Sequence, residues 1–213
     1  MEKLAIFDVD YTITKRETLL EFFMFMISKK PKLIFYMPKS FGASLLYATK
    51  LISAGSAKKY FLSFVSKIHE DELKEIVKEF YEKRLSKIFY IDAIDTIKKL
   101  KKQGYKIYLI SASADFYLNE LYNIKEVDKV IGTRFKFVNG YYSGEMIGVN
   151  NKGAEKVKRL LEVLKEENLT VDFKNSYMYS DSLSDLPLFN LVGHPYLINS
   201  RKKNNNIEVL NWK

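Results

Sequence analysis

The chain has 213 residues with no cysteine, 47% hydrophobic and 29% charged residues, and a net charge of +9. That length suits one domain, or one domain carrying a sizeable insertion, and the apolar content supports a real core and argues against wholesale disorder. The lack of cysteine excludes a disulfide framework and thiolate metal sites, and it fits a reducing cytoplasm.

In chain order, the first element is Leu4–Phe7, an apolar run that reads as a buried strand. The charged start, long apolar stretch and cleavage site of a signal peptide are not expected here. The strand ends on Asp8 and Asp10, two like charges that gain nothing from each other alone. Residues 15–88 then look helical throughout: 17–28, a segment around 40–53, 56–68 and 70–87, punctuated by Pro31 and Pro38. From Phe22 to His69 there are eight lysines and no aspartate or glutamate, so the rest of the chain is nearly neutral. A basic, aromatic, apolar stretch of this kind fits an anionic membrane surface, an anionic substrate, nucleic acid, or a merely solvated face. No uncharged apolar run approaches the roughly 18–20 residues needed to span a bilayer.

After residue 88 the pattern changes. Ile91, Ile94, Ile97 and Leu100 lie at helical spacing and stop at Gly104, a C-terminal cap. Lys106–Ile110 reads as a buried strand, and a shorter one is expected near Lys129–Ile131. "FKFVNGYYSG" predicts a hairpin turning at Asn139-Gly140. A helix follows over 152–167 through Val157, Leu160, Leu161 and Leu164, then strands at Tyr177–Tyr179 and Tyr196–Ile198. Strands alternating with helices imply a parallel α/β sheet with crossover helices.

Open sheets of this kind bind ligands at the carboxyl ends of their strands. There the sequence places Asp8, Asp10 and Thr12, then Ser111, then Asp181 and Asp185, with Lys152 or Lys156 at the start of the preceding helix. Carboxylates from two strand ends make a hard oxygen site suited to Mg2+, and such a cation would screen the opening pair.

These residues resemble the motifs of the haloacid dehalogenase-like (HAD) superfamily, nearest its phosphoserine-phosphatase-like members. The first motif is Asp8-Val9-Asp10-Tyr11-Thr12, the second Ser111, and the fourth "SDSLSDLPL". The resemblance implies an α/β fold with a Rossmann-like parallel-sheet core, 1–14 and 89–213, and a helical cap over 15–88. It implies a phosphatase in which Asp8 is the nucleophile that forms an aspartyl-phosphate. Asp10 would protonate the leaving alkoxide and then deprotonate water, with Thr12 orienting it. Ser111 and one of the two lysines would bind phosphoryl oxygens. Asp8, the Asp10 carbonyl and Asp181 would hold Mg2+, supported by Asp185. Lys156 fits the helical phase better than Lys152.

For the substrate, Glu17 sits where phosphoserine phosphatases keep a glutamate facing an amino group, which favours a small metabolite such as phosphoserine. Against that, Ala112-Ser113 replaces a glycine pair, and between Arg16 and Arg84 every basic residue is lysine, which lacks arginine's planar fork. Tyr11 stands where many relatives have glycine and narrows the pocket or stacks on a leaving group, and Tyr11, Thr12, Glu17 and Ser113 are the expected substrate contacts. The alternative is a lipid phosphate at the inner face of the membrane, met by the basic, apolar cap. A phosphotransferase or a phosphate-sensing binding protein is a further reading. No nucleic-acid partner is expected, since charge is the only feature pointing to one.

Overall fold

The computed structural model describes residues 1–36, 42, 49, 51, 54–66, 68–202 and 204–213. Apart from Gly42, Thr49 and Leu51, the helix expected around 40–53 lies outside these residues, as do Pro38, Lys39, Lys50 and Lys67. Eight strands occur among the described residues: β1 (Leu4–Phe7), β2 (Lys106–Ala114), β3 (Val127–Thr133), β4 (Phe135–Val138), β5 (Tyr141–Met146), β6 (Tyr177–Ser180), β7 (His194–Ile198) and β8 (Glu208–Leu210). Six form one sheet in the order β3-β2-β1-β6-β7-β8, every neighbouring pair parallel. β4 and β5 make the antiparallel hairpin turning at Asn139-Gly140, both with positive φ as a tight hairpin turn requires.

Alternation along β1 explains its unbroken apolar run. Ala5 and Phe7 join Ile107, Leu109, Tyr179 and Ile198 on one face, under α4 (Ile91–Lys102), whose Ala93, Ile97 and Leu100 are buried there. Leu4 and Ile6 join Tyr108, Ile110, Met178 and Leu197 on the other, against Leu160 and Leu164 of α6 (Ala154–Glu166) and Leu188 and Phe189 of α7 (Leu186–Phe189). A parallel strand covered on both faces needs hydrophobic residues at every position.

The helical stretch between β1 and α4 comprises α1 (Thr18–Lys29), a 3-10 turn at Pro31–Tyr36, α2 (Ala54–Phe61) continuing as 3-10 over Leu62–Val65, and α3 (Glu70–Lys83) with 3-10 turns at Leu85–Lys87. The helix expected over 70–87 therefore breaks at Arg84, whose φ of −129° is not helical. α1 buries Phe22, which meets Phe64, Phe80, Phe116 and Tyr117, the last stacked at 5.2 Å. Tyr117 belongs to α5 (Asp115–Leu118), a single turn ending β2 that sequence periodicity is too short to reveal. The hairpin supports this cluster through Phe135, Phe137 and Tyr142 against Phe116.

Entry to and exit from the helical stretch run side by side. Lys15 N donates to Ile88 O at 2.7 Å and Tyr90 N to Ile13 O at 2.8 Å, around a Thr14–Phe89 bridge.

Candidate active site

The strand order reverses between β1 and β6, so the crevice at their carboxyl ends is the topological switch point where such sheets bind ligands. Asp8 leaves β1 there, its N–H bonded to Tyr179 O of β6 at 2.9 Å. Its carboxylate is buried and meets Lys156 from the first turn of α6, with Nζ 2.6 Å from Asp8 Oδ1 and 2.7 Å from Asp185 Oδ2. Ser180 Oγ also donates to Asp185 Oδ2, at 2.8 Å. α6 reaches this position because Gly153 precedes it at φ 59°, ψ −126°, a conformation essentially reserved for glycine.

Asp10 is held separately. Its Oδ1 accepts Thr18 N at 2.6 Å and Thr18 Oγ1 at 2.7 Å, and its Oδ2 accepts Ser113 Oγ at 2.8 Å and Ser111 Oγ at 3.3 Å. Glu17, the residue before α1, makes no capping bond, so Asp10 caps that helix from a distance and gains the positive end of its dipole. Ser111 and Ser113 lie in an irregular part of β2, where the register with β3 shifts between Ile110 and Ala114. Asn151 pins that segment, its Nδ2 donating to Ser111 O and Ile131 O at 3.0 Å each.

Two expectations are corrected by this geometry. Thr12 is fully buried and its Oγ1 accepts the Asp181 N–H at 2.9 Å, so it ties the β1 and β6 loops together and neither orients Asp10 nor faces a substrate. Ser113 is buried too and gives its hydroxyl to Asp10, away from the substrate position expected for it. Of the two lysines, Lys156 meets the carboxylates while Lys152 stays exposed. Tyr11 is exposed and held at φ 58°, in the region L residues avoid. It lines a cleft of about 440 Å3 with Tyr90, Asp181, Asn199 and Arg201.

Sequence reading missed Thr18, Asn151 and Lys58. Lys58 reaches from α2 to Ala112 O and, at 2.6 Å, to Asn150 Oδ1. Burial lowers its pKa to about 8, against the pull of Asp10 and Glu17. Its only sequence signal was membership of the lysine run.

Electrostatically the crevice is crowded with carboxylates. Burial pushes Asp8 up, Lys156 opposes that, and Asp185 and Asp10 reinforce it. Burial disfavours charge on Lys156, yet Asp8 and Asp185 hold its pKa above the ordinary lysine value. Asp181 is pushed up to about 6, by burial first and Asp185 next, and Glu17 is raised by desolvation and by Asp10. Among the described residues no three His, Cys, Asp or Glu groups form a ready metal cluster. The donor set nonetheless fits a hard divalent cation: Asp185 Oδ1 is buried without a partner among the described residues, and Asp8 and Asp181 carry unfavourable charge that a cation would relieve.

A family model described as haloacid dehalogenase-like hydrolase matches residues 5–190. The chain belongs to this family. Among the relatives of this hydrolase, a Neisseria meningitidis serogroup C (strain 8013) protein named histidinol-phosphatase is 25% identical over the whole of both chains. Among solved structures, a Bordetella pertussis Tohama I protein of unknown function superposes with a TM-score of 0.88 at 21% identity, covering 99% of this chain and 98% of that one. A substrate-bound phosphoserine phosphatase complex gives 0.65 at 18% identity, covering 94% and 87%. Both structural likenesses show the α/β fold. The family makes this chain a hydrolase, and its relatives include proteins named as phosphatases.

Proposed function

We propose that this hydrolase is a Mg2+-dependent phosphomonoesterase that works through an aspartyl-phosphate on Asp8. The observation that carries the reading is the buried Lys156–Asp8 pair at the switch point, with Asp10 two residues on and held by donors of its own. Asp8 attacks phosphorus as the bond from phosphorus to the leaving oxygen breaks, and a proton from the Asp10 carboxyl passes to that oxygen, releasing the alcohol. A water then attacks the phosphoryl group and loses a proton to Asp10, releasing phosphate and restoring Asp8. Ser111 and Lys156 hold phosphoryl oxygens through fixed donors. Asp8, the Asp10 carbonyl and Asp181 would hold Mg2+, with Asp185 in support; when bound, the ion neutralises phosphoryl and carboxylate charge.

Residues 15–88 are read as a cap, since Glu17, Thr18 and Lys58 all come from that stretch to the site. Glu17, exposed at its mouth, suits a substrate ammonium, and no arginine within 17–83 clamps a carboxylate. The first point favours a small amine-bearing phosphate ester, phosphoserine or, as in the name of the Neisseria relative, histidinol phosphate; the second favours an ester without a carboxylate, as histidinol phosphate is.

The test is phosphate release from phosphoserine, histidinol phosphate, glycerol phosphate and phosphatidylglycerophosphate, with Mg2+ or EDTA, beside Asp8→Asn. Release from the small amino-phosphates that EDTA and Asp8→Asn both reduce to background is expected. Release from the lipid alone would transfer the reading to a membrane-surface phosphatase, and release unaffected by Asp8→Asn would end it.

A further inference from the structure

Thr18 is the first residue of α1, fully buried, and no motif in the sequence marks it. It nevertheless supplies both donors to one oxygen of Asp10, a backbone N–H at 2.6 Å and a hydroxyl at 2.7 Å. The other oxygen, Oδ2, faces the two serines of β2. The N–H cannot turn round to accept, so Oδ1 stays an acceptor whatever the protonation of the carboxyl. A hydroxyl can turn: Thr18 Oγ1 stands 3.2 Å from Ser113 Oγ, so when Oδ2 carries a proton Ser113 can accept from it and direct its own hydrogen to Thr18.

We propose that Thr18 is a positioning residue for proton transfer: it claims Oδ1, leaves Oδ2 to carry the proton to the leaving oxygen, and ties that step to the seating of α1. This rests on the phosphatase reading. The proton moves from Asp10 Oδ2 to the leaving oxygen as that oxygen's bond to phosphorus breaks, and Asp10 is left as the carboxylate that Thr18 and the serines stabilise. If α1 moved away, Asp10 would lose both Oδ1 donors at once, and proton delivery would wait until the helix returned.

The readout that separates positioning from mere structure is the dependence on the leaving group. An alkyl oxide needs a proton to depart and p-nitrophenolate does not, so a fault in proton delivery slows the alkyl ester selectively. Thr18→Val keeps the shape and the N–H but removes the hydroxyl; Thr18→Ser keeps the hydroxyl. The kcat of each variant is measured on p-nitrophenyl phosphate and on whichever small alkyl phosphate the Asp8-dependent panel turns over fastest. A ratio of rates does not depend on how much of a variant is folded. The alkyl-to-aryl ratio is expected to fall roughly ten- to a hundredfold in Thr18→Val and to return in Thr18→Ser. An equal fall on both esters, or a ratio that does not change, overturns the assignment while leaving the phosphatase reading intact. Turnover unaffected by Asp8→Asn overturns that reading, and this inference with it.

Discussion

Asp10 and Lys58 are neighbours of opposite character at the residue scale. Asp10 is surrounded by donors, whereas Lys58 is half-buried and pairs with no carboxylate at salt-bridge distance among the described residues. Burial drives the Lys58 pKa down to about 8 from 10.5. An ammonium whose folded-state value is depressed costs stability wherever it is charged; the cost is complete below about pH 8 and fades as the pH climbs towards 10.5. Lys58→Met removes it. The melting temperature of Lys58→Met relative to the parent is therefore expected to be higher near pH 7 than near pH 10, and scanning calorimetry at the two values checks this; a difference independent of pH would contradict the burial argument. That Asp8, Asp10 and Asp185 gather at one end of the sheet was legible from their order along the chain after its strands. Thr18 was not, because its role depends on a helix N-terminus arriving over a loop eight residues earlier, and Thr12 was misplaced because the Asp181 N–H it accepts comes from the far end of the chain.

Elements with a clear period were readable, and those set by tertiary pairing were not. α4 and α6 fall within two residues of their expected ends, since Ile97, Leu100, Leu160 and Leu164 mark one face. β8 went unread because three residues among asparagines carry no alternation and exist only by pairing with β7. β2 runs on to Ala114, past its expected end at Ile110, through the irregular stretch that presents Ser111. For α6, Gly153 is the vulnerable point. An added Cβ would meet only Ser184 O, at 3.5 Å, so space is not the obstacle; the dihedral angles are. Gly153→Ala should cost about 1–3 kcal/mol in urea unfolding and lower turnover by moving Lys156. A stable variant with full activity would show that the loop relaxes without cost.

For the whole molecule, the basic stretch is less naked than the sequence made it look. α3 lays an acidic face beside it: Lys29 pairs with Glu79, Lys30 with Glu72 at 2.6 Å, and Lys58 turns inward. Exposed pairs like these contribute little stability, but they lower the charge offered to an anionic surface. No helix among the described residues is long and apolar enough to cross a membrane. Among the described residues, exposed Leu20, Met24, Ile34, Phe35 and Leu51 are apolar side chains a lipid surface could use. Vesicles of anionic lipid at physiological salt are expected to leave the protein in the supernatant, and co-sedimentation would restore the lipid-phosphate alternative.

The paired segments at Thr14 and Phe89 have an architectural consequence. Because the chain enters and leaves the helical stretch through adjacent, hydrogen-bonded residues, the six-stranded sheet does not set the length of the excursion between them. Closing a longer loop costs only about 0.6 kcal/mol per doubling of its length. The excursion can therefore change length without altering the register of the six-stranded sheet, whereas the hairpin is tied to it, since His69 bridges Tyr141 and Glu70 N donates to Gly140 O. What limits such a change is Tyr117, covered here by Phe22, and Asp10, whose Oδ1 takes both its donors from Thr18 of the excursion.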